Sequence, residues 1–229
     1  LALANMTRLS TLIAFGLALM VSEVEAQDWA NLERFMDANE ELLSSGPVTG
    51  RVVFMGDSIT EAWDLADYFP GMPYVNRGIS GQTTPQMLIR FRADVLDLQP
   101  EVVVILAGTN DIAGNTGPME LTTIAGNIKS MAELALANGV RPVIASVLPA
   151  ADYPWRPGLH PDQKIPALNA LLERYAEQRG IVYLDYFGPM QDGKNGLMKA
   201  YTTDGVHCTP KGYARMAELA NAVLERGDS

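Results

Sequence analysis

Residues 101–107 contain Val102-Val103-Val104-Ile105-Leu106, five apolar and mostly β-branched residues in a row. A strand with one wet face would alternate apolar and polar residues. A continuous run has to be covered on both faces, as in a parallel sheet packed between helices. The rest of the chain supplies partners for it. Residues 51–55, 74–76, 142–148 and 181–184 read as further short strands, each separated from the next by a segment with helical periodicity. Those helical segments are a helix start over residues 59–65, then 84–98, 119–138 and 167–179, with 210–226 closing the chain and 27–43 opening it. Trp29, Leu32, Phe35 and Met36 form the apolar side of the opening helix. Gly139 and Gly180 stand where helix C-caps belong. Alternating strands and helices argue for one α/β domain with right-handed crossovers. In such a sheet a ligand sits outside the carboxyl ends of the strands. The loops that follow strands are therefore where chemistry is expected.

Composition narrows the function. Of 229 residues, 48% are hydrophobic and 19% charged, which is the make-up of a folded domain. The formal net charge of −10 disfavours nucleic acid and anionic membrane surfaces as partners. Arg8, an apolar run over residues 12–21 and the small residues of Val24-Glu25-Ala26 follow the pattern of a secretory signal peptide. The run is about half the ~20 residues a membrane span needs. Residues 1–26 are therefore expected to be a leader, with 27–229 the mature domain, periplasmic or secreted and without stable membrane attachment. The alternative is that the leader stays as an anchor. Cys208 is the single cysteine, so no intrachain disulfide can form, and no Cys/His cluster suggests zinc. His160 and His207 are the two histidines, so imidazole chemistry has to use one of them.

Four segments carry reactive groups. Gly56-Asp57-Ser58 follows the first strand and leads into a helix start, where free N–H groups favour a developing anion. Ser58 could equally be a helix cap. Asn76-Arg77-Gly78-Ile79-Ser80-Gly81 follows the second strand; with no side chain, Gly78 lets its backbone N–H approach a ligand closely. Gly108-Thr109-Asn110-Asp111 follows the third, and an asparagine amide can donate to an oxyanion without adding charge. Asp204-Gly205-Val206-His207 precedes the last helix. A serine hydroxyl needs a base, and an imidazole serves when a carboxylate holds its tautomer. A turn at Gly205 could bring Asp204 onto His207.

Together these segments resemble the SGNH hydrolases, also called GDSL esterases and lipases. Gly56-Asp57-Ser58-Ile59 matches the first block, with Ile59 where the name-giving motif has leucine. Gly78 centres the second block, Gly108-Thr109-Asn110-Asp111 forms the third, and Asp204-Gly205-Val206-His207 the fifth. Cys208 stands where many relatives have proline. The resemblance spans roughly residues 50–226. It implies a three-layer αβα, flavodoxin-like fold with five parallel strands in the order 2-1-3-4-5. It also implies Ser58 as nucleophile, His207 as base, Asp204 as its orienting acid, and an oxyanion hole from the Ser58 and Gly78 N–H groups and the Asn110 amide. No metal or organic cofactor is expected. Cys208 as the nucleophile is disfavoured, since nothing near it in sequence would activate it. The absence of Gly-x-Ser-x-Gly argues against an α/β-hydrolase elbow.

The implied reaction is carboxylic ester hydrolysis, with a small-molecule ester of short acyl chain as partner. Carbohydrate O-deacetylation, thioesterase and lysophospholipase activity use the same chemistry and stay open. A non-catalytic binding protein is the contrasting class, disfavoured because every reactive residue is present. Tyr153 and Trp155, in a proline-rich loop over residues 149–166, are candidate walls of the substrate site. His160, in the same loop, is expected to be a surface residue.

Overall fold

The computed structural model describes residues 28–225. The leader expected over residues 1–26 lies outside them. In chain order the elements are α1 (Met36–Ser44), β1 (Val52–Gly56), α2 (Ser58–Glu61), α3 (Leu65–Tyr68), β2 (Tyr74–Gly78), α4 (Thr84–Asp94), β3 (Val102–Leu106), α5 (Thr109–Ile112), α6 (Leu121–Ala137), β4 (Arg141–Ala145), α7 (Pro161–Arg179), β5 (Val182–Leu184), α8 (Phe187–Met190) and α9 (Pro210–Leu224). Turns of 3₁₀ helix precede α1 and follow α4.

All five strands pair in parallel in the order β2-β1-β3-β4-β5. β1 and β3 are buried along their whole length, as the uninterrupted apolar runs require. Helices α4, α6 and α7 pack side by side over one face, and α3 packs against α9 over the other. Right-handed crossovers dictate this split. β1 lies between β2 and β3, so Gly56, Gly78 and Leu106 end in register at one edge. The loops bearing Ser58, Gly81 and Asn110 therefore leave the sheet as neighbours.

Two helices depart from the sequence expectation. The opening segment is not one helix with a buried apolar side. Asn31 takes a left-handed conformation (φ 54°), a 3₁₀ turn follows, and α1 starts only at Met36. Trp29, Leu32 and Met36 stay largely exposed, and the residue α1 buries is Asn39. Asn39 Oδ1 accepts from the Arg77 guanidinium and its Nδ2 donates to Asp94, so a polar network, not apolar contact, decides which side faces inward. The helix expected from residue 167 begins at Pro161 instead and runs through Pro166. Proline lacks the N–H that would bond the Asp162 carbonyl four residues back. Asn195 Nδ2 donates to that carbonyl at 2.9 Å in its place.

Candidate active site

Ser58 is the first residue of α2, and Asp57 caps that helix by accepting from the Ile59 N–H at 2.9 Å. The capping role is thus taken by the neighbour, and the serine hydroxyl is free to point elsewhere. Its Oγ lies 3.0 Å from His207 Nε2. The sharp turn from β1 into α2 needs Gly56, where a Cβ would run into the Thr60 side chain and stand 2.9 Å from the Leu106 carbonyl oxygen.

His207 is set by a turn of Asp204 to His207. Asp204 Oδ1 accepts from the Val206 and His207 backbone N–H groups at 2.9 and 2.8 Å, and Oδ2 lies 2.6 Å from His207 Nδ1. Gly205 takes φ +92°, the turn that brings the two side chains together. Burial alone would raise the Asp204 pKa, but the hydrogen bonds from His207 and Val206 outweigh it and bring it down to about 2. An ionised Asp204 fixes the proton on Nδ1, which leaves Nε2 as acceptor for the Ser58 O–H. Thr202, a residue the sequence does not single out, braces the turn: its hydroxyl accepts from the Gly205 N–H at 2.9 Å and donates to the His207 carbonyl at 2.8 Å. Cys208 turns its Sγ toward Met216, and burial, reinforced by Asp204, pushes the thiol up to about 12.

Asn110 is buried in α5. Its Oδ1 accepts from Asn115 at 3.0 Å, and its Nδ2 donates to the Gln82 carbonyl at 3.1 Å, leaving a second amide hydrogen. Asp111 accepts from the Thr84 N–H and hydroxyl, tying α5 to the start of α4, and burial raises its pKa.

The expectation for Gly78 needs correcting. Its N–H already donates to Asn76 Oδ1 at 2.8 Å. Its missing side chain serves packing: a Cβ there would stand 2.6 Å from the Glu61 Cα and 2.7 Å from the Thr60 carbonyl carbon. Gly81, in the same run, has an N–H with no acceptor among the described residues, as does Ser58. Gly81 sits in a turn at φ +77°, and Asn115 Nδ2 donates to its carbonyl at 3.0 Å. Asn110 and Asn115 thus hold the Gly81–Gln82 segment beside the Asn110 amide. The sequence signal that could have found Gly81 is the second glycine of the run, at a turn after the strand.

Tyr153 is fully buried, stacked under Trp155 with ring centres 5.2 Å apart, and is among the residues lining a cavity that reaches Asp204. Burial raises its hydroxyl pKa. Trp155 is 47% exposed and stands 6.0 Å from the His207 ring. His160 is exposed at the start of α7 and touches none of these groups. Two cavities flank the loop that carries Trp155. One, of about 630 Å³, reaches Asp204 and is lined by Tyr153, Pro154, Leu197 and Thr202. The other, of about 560 Å³, is lined by Ile112, Met119, Arg156 and Leu159. Neither is lined by Ser58, so the serine lies outside both.

Among the described residues no three His, Cys, Asp or Glu side chains are grouped to hold a metal ion, and no helix is long and apolar enough to cross a membrane.

Comparison with known proteins places this geometry in a family. The family model described as GDSL-like lipase/acylhydrolase matches residues 54–215. The crystal structure of a GDSL-like lipase from Bacteroides thetaiotaomicron superposes with a TM-score of 0.83 at 46% identity, covering 86% of this chain and 98% of that one. Esterase TesA of Pseudomonas aeruginosa is 27% identical over 77% of this chain and 89% of its own length. An uncharacterized lipoprotein of Bacillus subtilis, YqeF, is 32% identical over 43% of this chain, and the match spans 48% of that lipoprotein's length. The family match runs from within β1 into α9 and so takes in the serine, the asparagine and the histidine just described: the chain belongs to the GDSL-like lipase/acylhydrolase family.

Proposed function

We propose that the protein is a serine carboxylic ester hydrolase acting on short acyl esters. The observation that carries this reading is the line from Ser58 Oγ to His207 Nε2 at 3.0 Å and from His207 Nδ1 to Asp204 Oδ2 at 2.6 Å. His207 takes the Ser58 proton as Oγ attacks the acyl carbon. The oxyanion forms against the Ser58 N–H, the Gly81 N–H and the free hydrogen of Asn110 Nδ2. His207 then gives its proton to the leaving alcohol, and a water it activates releases the acid from Ser58. Because the leaving oxygen must meet His207, the alcohol portion lies toward Trp155. The esterase among the relatives agrees with an ester substrate. Carbohydrate acetyl esters, thioesters and lysophospholipids are alternatives that the same groups could cleave.

Ser58→Ala tests the reading: turnover of p-nitrophenyl acetate is expected to vanish while the thermal transition is kept. A near-normal rate would end the proposal. Export belongs to the same proposal, supported by the leader pattern at Arg8 and residues 12–26. Mass analysis of the mature chain, expected to begin at Gln27, tests it.

A further inference from the structure

Arg90 is wholly buried in α4, a helix that contributes none of the reacting groups. Its guanidinium makes four hydrogen bonds. Nη2 donates to the Gly56 carbonyl at 3.2 Å and the Arg77 carbonyl at 2.9 Å. Nε donates to Gln82 Oε1 at 2.5 Å, and Nη1 to Asp94 at 2.9 Å. Three of these acceptors have something in common. Gly56 is the last residue of β1, two before Ser58. Arg77 lies at the end of β2, where the turn to Gly81 begins. Gln82 follows Gly81, and its carbonyl accepts from Asn110.

We infer that Arg90 is the positioning residue of the oxyanion hole: one rigid, planar group sets the spacing between the Ser58, Gly81 and Asn110 donors. This inference rests on the ester-hydrolase reading above. The physical case is geometric. β1 and β2 are joined along the sheet by their ladder, but the ladder stops where the loops leave. At that edge the two segments are linked by side chains and single backbone bonds: Ile79 N–H donates to the Gly56 carbonyl, Glu61 holds Ser80, and Asn76 Nδ2 donates to the Thr60 and Trp63 carbonyls. Arg90 adds a further link, and alone among these it also reaches the Gln82 side chain. A guanidinium has five donors in a fixed fork, whereas a lysine has three on a mobile stem and cannot reproduce the fork. Asp94, itself buried and bonded to Asn39, balances the charge and holds the fork in plane. Burying a guanidinium is costly, and burial lowers the Arg90 pKa; a spacer of this kind gives that cost a use. Donors must stay within a fraction of an ångström of the oxyanion, so a small shift at Arg90 is felt at the reacting carbonyl.

The test compares Arg90→Lys with Ile128→Ala, a core change in α6 away from these loops, and Ser58→Ala. For Arg90→Lys, kcat on p-nitrophenyl acetate is expected to fall about 10- to 100-fold with KM held within about threefold. Affinity for phenylboronic acid, which forms a tetrahedral adduct on the serine, should fall in parallel. Ile128→Ala should lower the thermal midpoint while keeping kcat per folded molecule. If folded Arg90→Lys keeps its kcat and boronate affinity, or loses no more than Ile128→Ala, the inference is overturned. If Arg90→Lys does not fold, Gln82→Met, which removes one acceptor of the fork, decides by the same two readouts. An inactive Ser58→Ala beside an unimpaired Arg90→Lys would overturn only the role of Arg90. An active Ser58→Ala would overturn the hydrolase reading itself.

Discussion

The Tyr213 hydroxyl donates a hydrogen bond to the Ile59 carbonyl at 2.9 Å, joining the first turn of α9 to the residue after Ser58. His207 lies three residues before α9, so this bond sets the helix that follows His207 against the helix that begins at Ser58. The Tyr213 ring also stacks on Trp63, with centres 5.8 Å apart. Tyr213→Phe keeps the ring and removes the bond. It leaves a buried carbonyl without its partner and is expected to cost about 1–3 kcal/mol of stability. Urea denaturation measures that cost, and steady-state kinetics should show a lower kcat as the Ser58 to His207 distance loosens.

Gly78 and Asn110 should behave differently when each is replaced by alanine. Gly78→Ala puts a Cβ against the backbone of α2 and is expected to lower stability by about 1–3 kcal/mol, as overpacking does. Asn110→Ala, which removes the side-chain donor, should lower kcat by about 10²- to 10³-fold with little change in KM, and should also cost about 1–3 kcal/mol of stability because it leaves the buried Gln82 carbonyl unpaired. A Gly78→Ala variant with normal stability and a comparable kcat loss would return the donor role to Gly78.

Asp57 gives a pH signature in stability. Burial pushes its carboxyl up to about 6, against the hydrogen bond from Ile59 and the nearby His207, which lower it. The folded chain therefore holds this proton more tightly than the unfolded chain, whose carboxyl has a pKa of about 3.9. Stability from this group is greatest below about pH 4 and declines as pH rises toward about 6, by at most about 3 kcal/mol. Asp57→Asn keeps the cap oxygen and should flatten that decline. Chemical denaturation across this range, wild type against variant, reads it directly; parallel profiles would show that Asp57 is not the group responsible.

Asp204 has the opposite sign. Its carboxyl sits at about 2, so the stability it contributes is present above about pH 4 and is lost only as pH falls toward 2. Acid loss of activity above pH 4 is therefore expected to come from groups other than Asp204. Asp204→Asn should lower kcat by orders of magnitude, about 10⁴-fold where the analogous change has been made in a serine-histidine-aspartate site.

Trp155→Ala removes the half-exposed ring beside His207 and uncovers Tyr153. If the ring walls the alcohol or acyl portion, kcat/KM across p-nitrophenyl esters from acetate to palmitate should shift, by about 10-fold or more between the extremes. An unchanged profile would leave Trp155 as packing for Tyr153.

Much of this protein can be read from the chain alone. Continuous apolar runs in β1 and β3 require a sheet covered on both faces, and glycines at strand ends mark the loops where chemistry gathers. Ser58 and Asn110 stand at such ends and Asp204 and His207 just before the last helix, so their candidacy follows from local pattern and spacing. What the tertiary structure decided is which groups are free once neighbours have taken theirs. Asn76 engages the Gly78 N–H and leaves Gly81 open. Asp57 caps α2 and releases the Ser58 hydroxyl. Asn39 draws α1 inward by its polar side, through Arg77 and Asp94, and strands Trp29, Leu32 and Met36 on the surface. Asn195 satisfies the carbonyl that Pro166 would orphan and lets α7 start early. Each of these is a hydrogen bond between residues distant in sequence or competing for one donor, and periodicity carries no record of such pairings. The same holds for Arg90: its position in α4 is ordinary in sequence, and only the closing of β1 against β2 brings the carbonyls of Gly56 and Arg77 within reach of one guanidinium.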